Sequence, residues 1–292
     1  MTSTQHSGPG SVSRTELITP EPAEALAGLL DIEPPSNDQL PPLWHWIYLV
    51  ERRPQGELGP DGHALTGVPA PPSPGRLRMF GGGRVTTHRP LRYGEPATRT
   101  TRLLREVDKV GRSGPMTLTT VRTEIEQNGR PAISEEQDIV YREAGSAVQP
   151  ASPATQPSSA PTAPQSDEAP PDGRLDMVVD PVVLFRFSAL TYNAHRIHYD
   201  AAYTAGEGYP GLVVHGPLQA LLMGECFRRS GASLIGSTFS YRLVAPTFGE
   251  QQLTVTSYVV DGRRSARVQD GEGRVTATAT TGADAAGAPA HP

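Results

Sequence analysis

Three of the eight histidines crowd one stretch of the chain. The run Asn193-Ala194-His195-Arg196-Ile197-His198-Tyr199-Asp200 is followed closely by Gly211-Leu212-Val213-Val214-His215-Gly216-Pro217-Leu218. An imidazole exchanges protons near neutral pH, which suits a general acid or base. Gly216-Pro217 reads as a helix start, and the free N–H groups of a first turn can receive a developing oxyanion. A base beside an oxyanion site points to an enzyme acting on a carbonyl compound. His195 is read as a partner of His198 or as a cap of the turn, and His215 as a turn residue or a direct participant. Arg196 is read as a contact for a substrate carboxylate or as a surface charge with an apolar stem. His195 and His198 lie three residues apart without a third ligand at metal-binding spacing, so no metal is expected.

The elements that must hold this stretch follow from local patterns. Pro217 opens a helix that is apolar on most sides, carries Arg228 and Arg229 in its last turn and stops at Gly231, so it is a buried helix. Strands are expected over Ser237–Val244, Leu253–Val260, Arg264–Gln269 and Val275–Thr280. An extended run over Met177–Phe187 precedes the histidines. In the first half, a helix is expected over Glu21–Leu30 and a second, buried one over Leu40–Tyr48, where apolar residues recur at helical spacing. Strands at Thr98–Val107, Met116–Glu126 and Ala132–Tyr141 follow, the last two joined by an Asn128-Gly129 hairpin turn. Between them, Pro54–Gly75 is a long irregular loop with a turn at Asp61-Gly62-His63, and loops of that length are often functional. The run Gly81-Gly82-Gly83 lacks a following helix and does not read as a phosphate loop. Trp44 and Trp46 are assigned to the core rather than to an acyl pocket.

The wider organisation is bipartite. Residues 1–15 read as a disordered tail, 16–143 as a first domain, 144–174 as a Pro/Ala/Ser-rich disordered linker, 175–282 as a second domain and 283–292 as a disordered tail. Pro90-Leu-Arg-Tyr-Gly-Glu95 echoes Pro246-Thr-Phe-Gly-Glu250, each before a series of strands, which suggests an internal duplication. A formal net charge of −5 with both signs interspersed gives no basic stripe for nucleic acid or an acidic membrane. A single cysteine, Cys226, and the lack of an apolar leader or a long apolar run fit a cytoplasmic protein.

Taken with these residues, the stretch Phe185–Leu218 resembles the MaoC-like hydratases and dehydratases, in particular the mesaconyl-CoA hydratase-like branch. Pro42-Leu-Trp-His-Trp46 and Met79-Phe-Gly-Gly-Gly-Arg84 are similar to the N-terminal half of that branch. The resemblance implies an α+β double hotdog, two tandem domains each with a long helix wrapped by an antiparallel sheet, with the catalytic motif only in the second. It implies reversible hydration of a 2,3-enoyl thioester of coenzyme A, with no cofactor beyond the CoA of the substrate, and leaves open a homo-oligomer. Related R-specific hydratases carry Asp-x-Asn-Pro-x-His where this chain has Asn193-Ala-His195-Arg196-Ile-His198. An amide is no base near neutral pH, so Asn193 and His198 are expected to hold the water and His198 to take its proton. The N–H of Gly216, aided by that of Leu218, is expected to bind the thioester oxygen, with His195, His215 and a carboxylate contact from Arg196 or Arg84 completing the substrate site. The alternatives are a β-hydroxyacyl-thioester dehydratase of lipid or polyketide synthesis working on a carrier protein, and a non-catalytic thioester-binding protein.

Overall fold

The computed structural model describes residues 3–5, 10–73, 75–111, 114–143, 171–260 and 262–283. Among them, eleven strands form one antiparallel sheet in the order β1-β2-β4-β5-β6-β3-β8-β11-β10-β9-β7. In the first half these are β1 (Ser3–Gln5), β2 (Ser11–Leu17), β3 (Arg76–Thr87), β4 (Pro96–Gly111), β5 (Gly114–Gln127) and β6 (Arg130–Glu143). The second half supplies β7 (Gly173–Val179), β8 (Ser237–Leu243), β9 (Gln251–Val260), β10 (Arg263–Gln269) and β11 (Val275–Ala283). Four helices accompany them: α1 (Glu21–Leu29), α2 (Pro181–Thr191), α3 (Ala201–Gly206) and α4 (Gly216–Arg229).

The strands fall close to where alternation and turn residues place them. Asn128-Gly129 links β5 to β6 with Gln127 opposite Arg130, as a two-residue hairpin requires. The halves join where β3 pairs with β8 from Gly82 opposite Arg242 to Thr86 opposite Thr238. The glycine run therefore lies inside a strand, at a register shift between Phe80 and Gly82, where the backbones of β3 and β8 come close. Helix α4 packs against β7, β8, β9, β10 and β11. Its residues from Leu218 to Phe227 are all buried, because its apolar side chains surround the axis instead of forming one stripe.

Four expectations change. Residues 11–15 are not a tail: β2 pairs with β4 through Ser11 opposite Arg102 and onward to Leu17 opposite Pro96, and Ser-Val-Ser-Arg-Thr alternates too weakly to announce a strand. The extended run over Met177–Phe187 splits into β7 and α2, since Asp180 caps the helix by accepting the Val183 N–H and Pro181 fills its first position, a start signal stronger than the β-branched residues that follow. The second buried helix shrinks to one 3-10 turn over Trp44–Ile47, entered through Leu43 at φ 72°. Pro41-Pro42 supply no N–H and set up that turn rather than a longer helix. Of the expected linker at 144–174 and tail at 283–292, residues 144–170 and 284–292 lie outside the described residues, while β7 already starts at Gly173 and β11 runs to Ala283.

Candidate active site

The histidine stretch is positioned by a chain of caps. Helix α2 ends at Tyr192 in the left-handed region, and the Asn193 N–H closes back on the Ser188 carbonyl at 2.8 Å. The Asn193 side-chain oxygen then accepts the His195 N–H at 3.0 Å, an Asx turn. That oxygen is committed, so Asn193 keeps its amide N–H groups for whatever enters the cavity. A 3-10 turn over Arg196–His198 follows, and Asp200 caps α3 by accepting the Tyr203 N–H at 2.9 Å.

His198 is buried and donates from Nδ1 to the Val213 carbonyl at 2.7 Å. A carbonyl can only accept, so the proton sits on Nδ1 and Nε2 is left with a lone pair. Burial is the main cause that lowers its pKa to about 4, opposed by the Val213 bond and assisted by His63. The ring is thus neutral and basic at Nε2 near pH 7. His215 stacks on it at 3.6 Å between centroids and meets Ser188 Oγ through Nε2 at 2.9 Å. Burial, with the nearby His198 and His195, pushes His215 well below its ordinary value. The next residue, Gly216, opens α4. Its N–H and that of Leu218 belong to a first turn, where helices leave donors without intrahelical acceptors. A Cβ at Gly216 would meet Leu243 Cδ1 at 2.2 Å and Phe80 Cδ1 at 3.2 Å, so only glycine lets this turn reach the cavity wall.

The first half enters through its long loop. Gly62, at φ +88°, lies against the Ala194 carbonyl so closely that a Cβ would stand 1.8 Å from its oxygen. The Arg196 N–H donates to the Asp61 carbonyl at 2.9 Å. This docking sets the His63 ring 4.0 Å from that of His195, itself 5.7 Å from His198. Asp61 Oδ2 accepts from His63 Nδ1 at 2.8 Å. Burial, then His63, His198 and Arg78, push the His195 pKa down to about 2. Asp61, His63 and His195 present ligand atoms within 4.8 Å of one another, a cluster that shares only His195 with the His195–His198 pair considered from spacing. The guanidinium of Arg78, whose charge lowers the pKa of both imidazoles, acts against a dication there.

These residues share a cavity of about 440 Å³ walled by both halves. Asn193, His195, His198, His215 and Gly216 line it, together with His63, Arg78, Phe80 and Trp46. At its other end Glu135, buried, accepts from His45 at 3.3 Å, Trp46 at 2.8 Å and Gln137 at 2.8 Å. Burial raises its pKa, but these bonds and the charges of His45 and Arg99 outweigh that and hold it low.

Two expected contacts, Arg196 and Arg84, stand elsewhere, while Leu218 keeps the backbone role expected of it. Arg196 is outside the cavity wall, bonded to Asp200 at 2.7 Å and to the Pro60 carbonyl at 3.1 Å, with its guanidinium over Tyr203. It ties the loop to the histidine turn instead of facing a substrate. Arg84 is on the exposed side of β3, paired with Glu136 at 2.6 Å and Asp138 at 3.5 Å. The Leu218 side chain is fully buried in the core, so only its backbone N–H remains available to a ligand. Of the two tryptophans, Trp44 is core and donates to Glu225 at 2.8 Å, whereas Trp46 reaches the cavity. The sequence reading missed His63, Asp61 and Arg78; the length of the proline-rich loop was the signal for the first two. Arg78 alternates with Phe80 along the strand, which places both on one face.

Against known proteins, residues 43–249 match the family described as hydroxyacyl-thioester dehydratase type 2. The chain is 46% identical over 249 residues to the mesaconyl-C(4)-CoA hydratase of Chloroflexus aurantiacus, covering 81% of this chain and 84% of that protein. It is 42% identical over 78 residues, 26% of each chain, to a mitochondrial hydroxyacyl-thioester dehydratase type 2 of Schizosaccharomyces pombe. In structure it is similar to HtdX of Mycobacterium tuberculosis, with a TM-score of 0.65 at 15% identity over 93% of this chain and 98% of that one. A double hotdog protein of the same organism aligns with a TM-score of 0.51 at 14% identity over 91% and 92% of the two chains. The architecture is a double hotdog.

Proposed function

The chain belongs to the hydroxyacyl-thioester dehydratase type 2 family and is a hydro-lyase of enoyl and 3-hydroxyacyl thioesters, and on that footing we propose that its substrate is a CoA ester of mesaconyl type. The observation that carries this reading is the pairing of a neutral, Nδ1-anchored His198 with the glycine-led start of α4 in one cavity. Asn193 donates its amide N–H to a water, and His198 Nε2 takes a proton from it. The water oxygen bonds to C3 as the C2–C3 π pair moves onto the thioester oxygen, which the Gly216 and Leu218 N–H groups receive. The helix dipole favours the negative charge there. The enolate then collapses and C2 takes the proton from His198 Nε2. Water is added, no electron is gained or lost, and the steps call on no cofactor beyond the CoA of the substrate.

His195 and His215 support this reading as walls of the site rather than as bases, because each is held neutral. No described helix is long and apolar enough to cross a membrane, and a CoA-thioester substrate suits an enzyme of the cytoplasm. Self-association is compatible with the fold, whose sheet ends at β1 and β7.

The test is a hydration screen with the full chain over mesaconyl-CoA, crotonyl-CoA, longer enoyl-CoAs and an enoyl carrier-protein thioester. Turnover fastest on mesaconyl-CoA is the expected result. Preference for the carrier-protein thioester would move the assignment to a β-hydroxyacyl-thioester dehydratase of lipid or polyketide synthesis. Tight binding of CoA thioesters without turnover would make the chain a binding protein.

A further inference from the structure

We propose that Arg78 is the specificity-determining residue of this site, receiving an acyl carboxylate beside the reacting carbons and thereby selecting dicarboxylic enoyl thioesters. The inference rests on the CoA-thioester hydratase reading and narrows its substrate class. Arg78 lies on β3, a strand of the first half, and forms part of the cavity wall together with His63 and His195.

The charge around it is unbalanced. Arg84, Arg122, Arg196, Arg228 and Arg274 each form an ion pair with a carboxylate, whereas among the described residues no carboxylate lies within ion-pair distance of Arg78. Asp61 is the acid nearest to it in effect, but both its oxygens are engaged, Oδ2 by His63 Nδ1 at 2.8 Å and Oδ1 by the His63 N–H at 2.9 Å. Tyr141 donates its O–H to the Ala70 carbonyl and accepts from the Arg78 side chain through its phenol oxygen, but a neutral phenol brings no counter-charge. Burial lowers the pKa of His63, His195, His198 and His215 in the cavity, so these four rings bring no charge near pH 7. A guanidinium withdrawn from water without a counter-ion is costly, and a ligand carboxylate, which can engage it in two parallel bonds, offsets that cost.

The other cavity arginine, Arg99, differs: its charge acts on Glu135, and it donates to the Leu49 carbonyl at 3.4 Å. Reaction chemistry agrees with Arg78. In a mesaconyl C4-thioester the free carboxylate is attached to C3, the carbon that receives water. Its recogniser must share the cavity with the water-activating His198, and Arg78 does, its charge acting on His63 and His195 in the same wall. An enoyl chain without a carboxylate gives this cation nothing to bind.

Two acceptors that differ only at that group decide the matter: mesaconyl-C4-CoA, and 3-methylcrotonyl-CoA, in which a methyl replaces the carboxylate. Arg78→Gln should lower kcat/KM for the first by at least about 100-fold, the scale of a lost charge-assisted bidentate contact, and change the second by less than about threefold. Arg78→Lys, which keeps the charge but not the fork, should fall between. Binding gives a readout independent of turnover: by calorimetry, wild type should prefer succinyl-CoA to butyryl-CoA and Arg78→Gln should lose that preference, with an unchanged thermal midpoint reporting an intact fold. Parallel losses on both acceptors would overturn the proposal and move Arg78 to the CoA moiety or to the fold. An unaltered mesaconyl rate would overturn it as well. A wild-type chain that hydrates neither acceptor fails the hydratase reading itself, and the succinyl-to-butyryl binding ratio still decides whether Arg78 reads a carboxylate.

Discussion

Inside the short outer strand β1, the first half orders its strands β2-β4-β5-β6-β3 and the second β7-β9-β10-β11-β8, so five strands of one have counterparts at the same places in the other. Helix α1 follows β2 as α2 follows β7, and the two helices touch. The halves part company between that helix and the next strand. The second places α3 and the buried α4 there, whereas the first has only two 3-10 turns before β3. Prolines explain the contrast, since Pro41, Pro42, Pro54, Pro60, Pro69, Pro71 and Pro72 deny that segment the N–H groups a helix needs. The first half has no long helix of its own to wrap, and Trp44 binds Glu225 of α4 instead. Its freed segment reaches across to place Asp61 and His63 against the histidine turn. One copy of the ladder thus keeps the helix start that handles a carbonyl, and the other lends walls, polar groups and a cation.

The sharpest way to break that division is to remove one histidine from each half. His198→Ala should cost about 10³-fold in kcat, within the span of a lost general base, while His45→Ala should change kcat by less than about tenfold yet lower the thermal midpoint. Glu135 would then keep a buried charge with fewer partners, a loss of about 3 kcal/mol. Comparable kcat losses in the two variants would dissolve the distinction. Gly216→Ala comes next: its Cβ meets Leu243, so kcat should drop by about 10²-fold for a displaced oxyanion donor. Adding Leu243→Ala, which removes the main clash, should recover part of kcat. Gly62→Ala probes what the first half lends. With the loop lifted off Ala194, kcat/KM should fall by about tenfold while the isolated fold persists, since loop positioning acts on geometry.

Asn193→Asp should have a smaller effect on rate, because a carboxylate can accept the same His195 N–H and preserve the turn. The negative charge would favour imidazolium at His198, so the acid limb of the pH–rate profile should move upward; an unmoved limb would separate Asn193 from the base. The last expectation concerns wild type. Unfolded imidazoles protonate below about pH 6.5, whereas His198 and His195 stay neutral in the fold down to about 4 and about 2. Between pH 6.5 and 4 the unfolded chain binds more protons, so stability should decline as pH is lowered through that window. A thermal midpoint flat across it would contradict the buried, neutral state of these rings.

Much of this was legible in the residues. Alternation and turn chemistry located β4, β5 and β6 in the first ladder and β8 to β11 in the second, though not β2 or β3, and the all-round apolar character of Leu218–Phe227 marked α4 as buried. Spacing brought Asn193, His198 and Gly216 together before any coordinates. What sequence could not convey is which partner a charged side chain turns toward. Arg196 and Arg84 were plausible carboxylate contacts by charge alone, yet Asp200 and Glu136 claim them. Arg78 carries no local signal at all, being one arginine between Leu77 and Met79, and acquires meaning only when β3 is laid against β8. Asp61 and His63 required the docking of a loop whose irregularity conceals its destination.

The ladder between β3 and β8 has a bearing on dilution. A cavity walled by two separate chains would lose half its wall as concentration fell below the dissociation constant. Here the seam is internal to one covalent chain, so the site is first order in protein: specific activity should hold from micromolar to nanomolar enzyme, whatever larger assembly the chain enters.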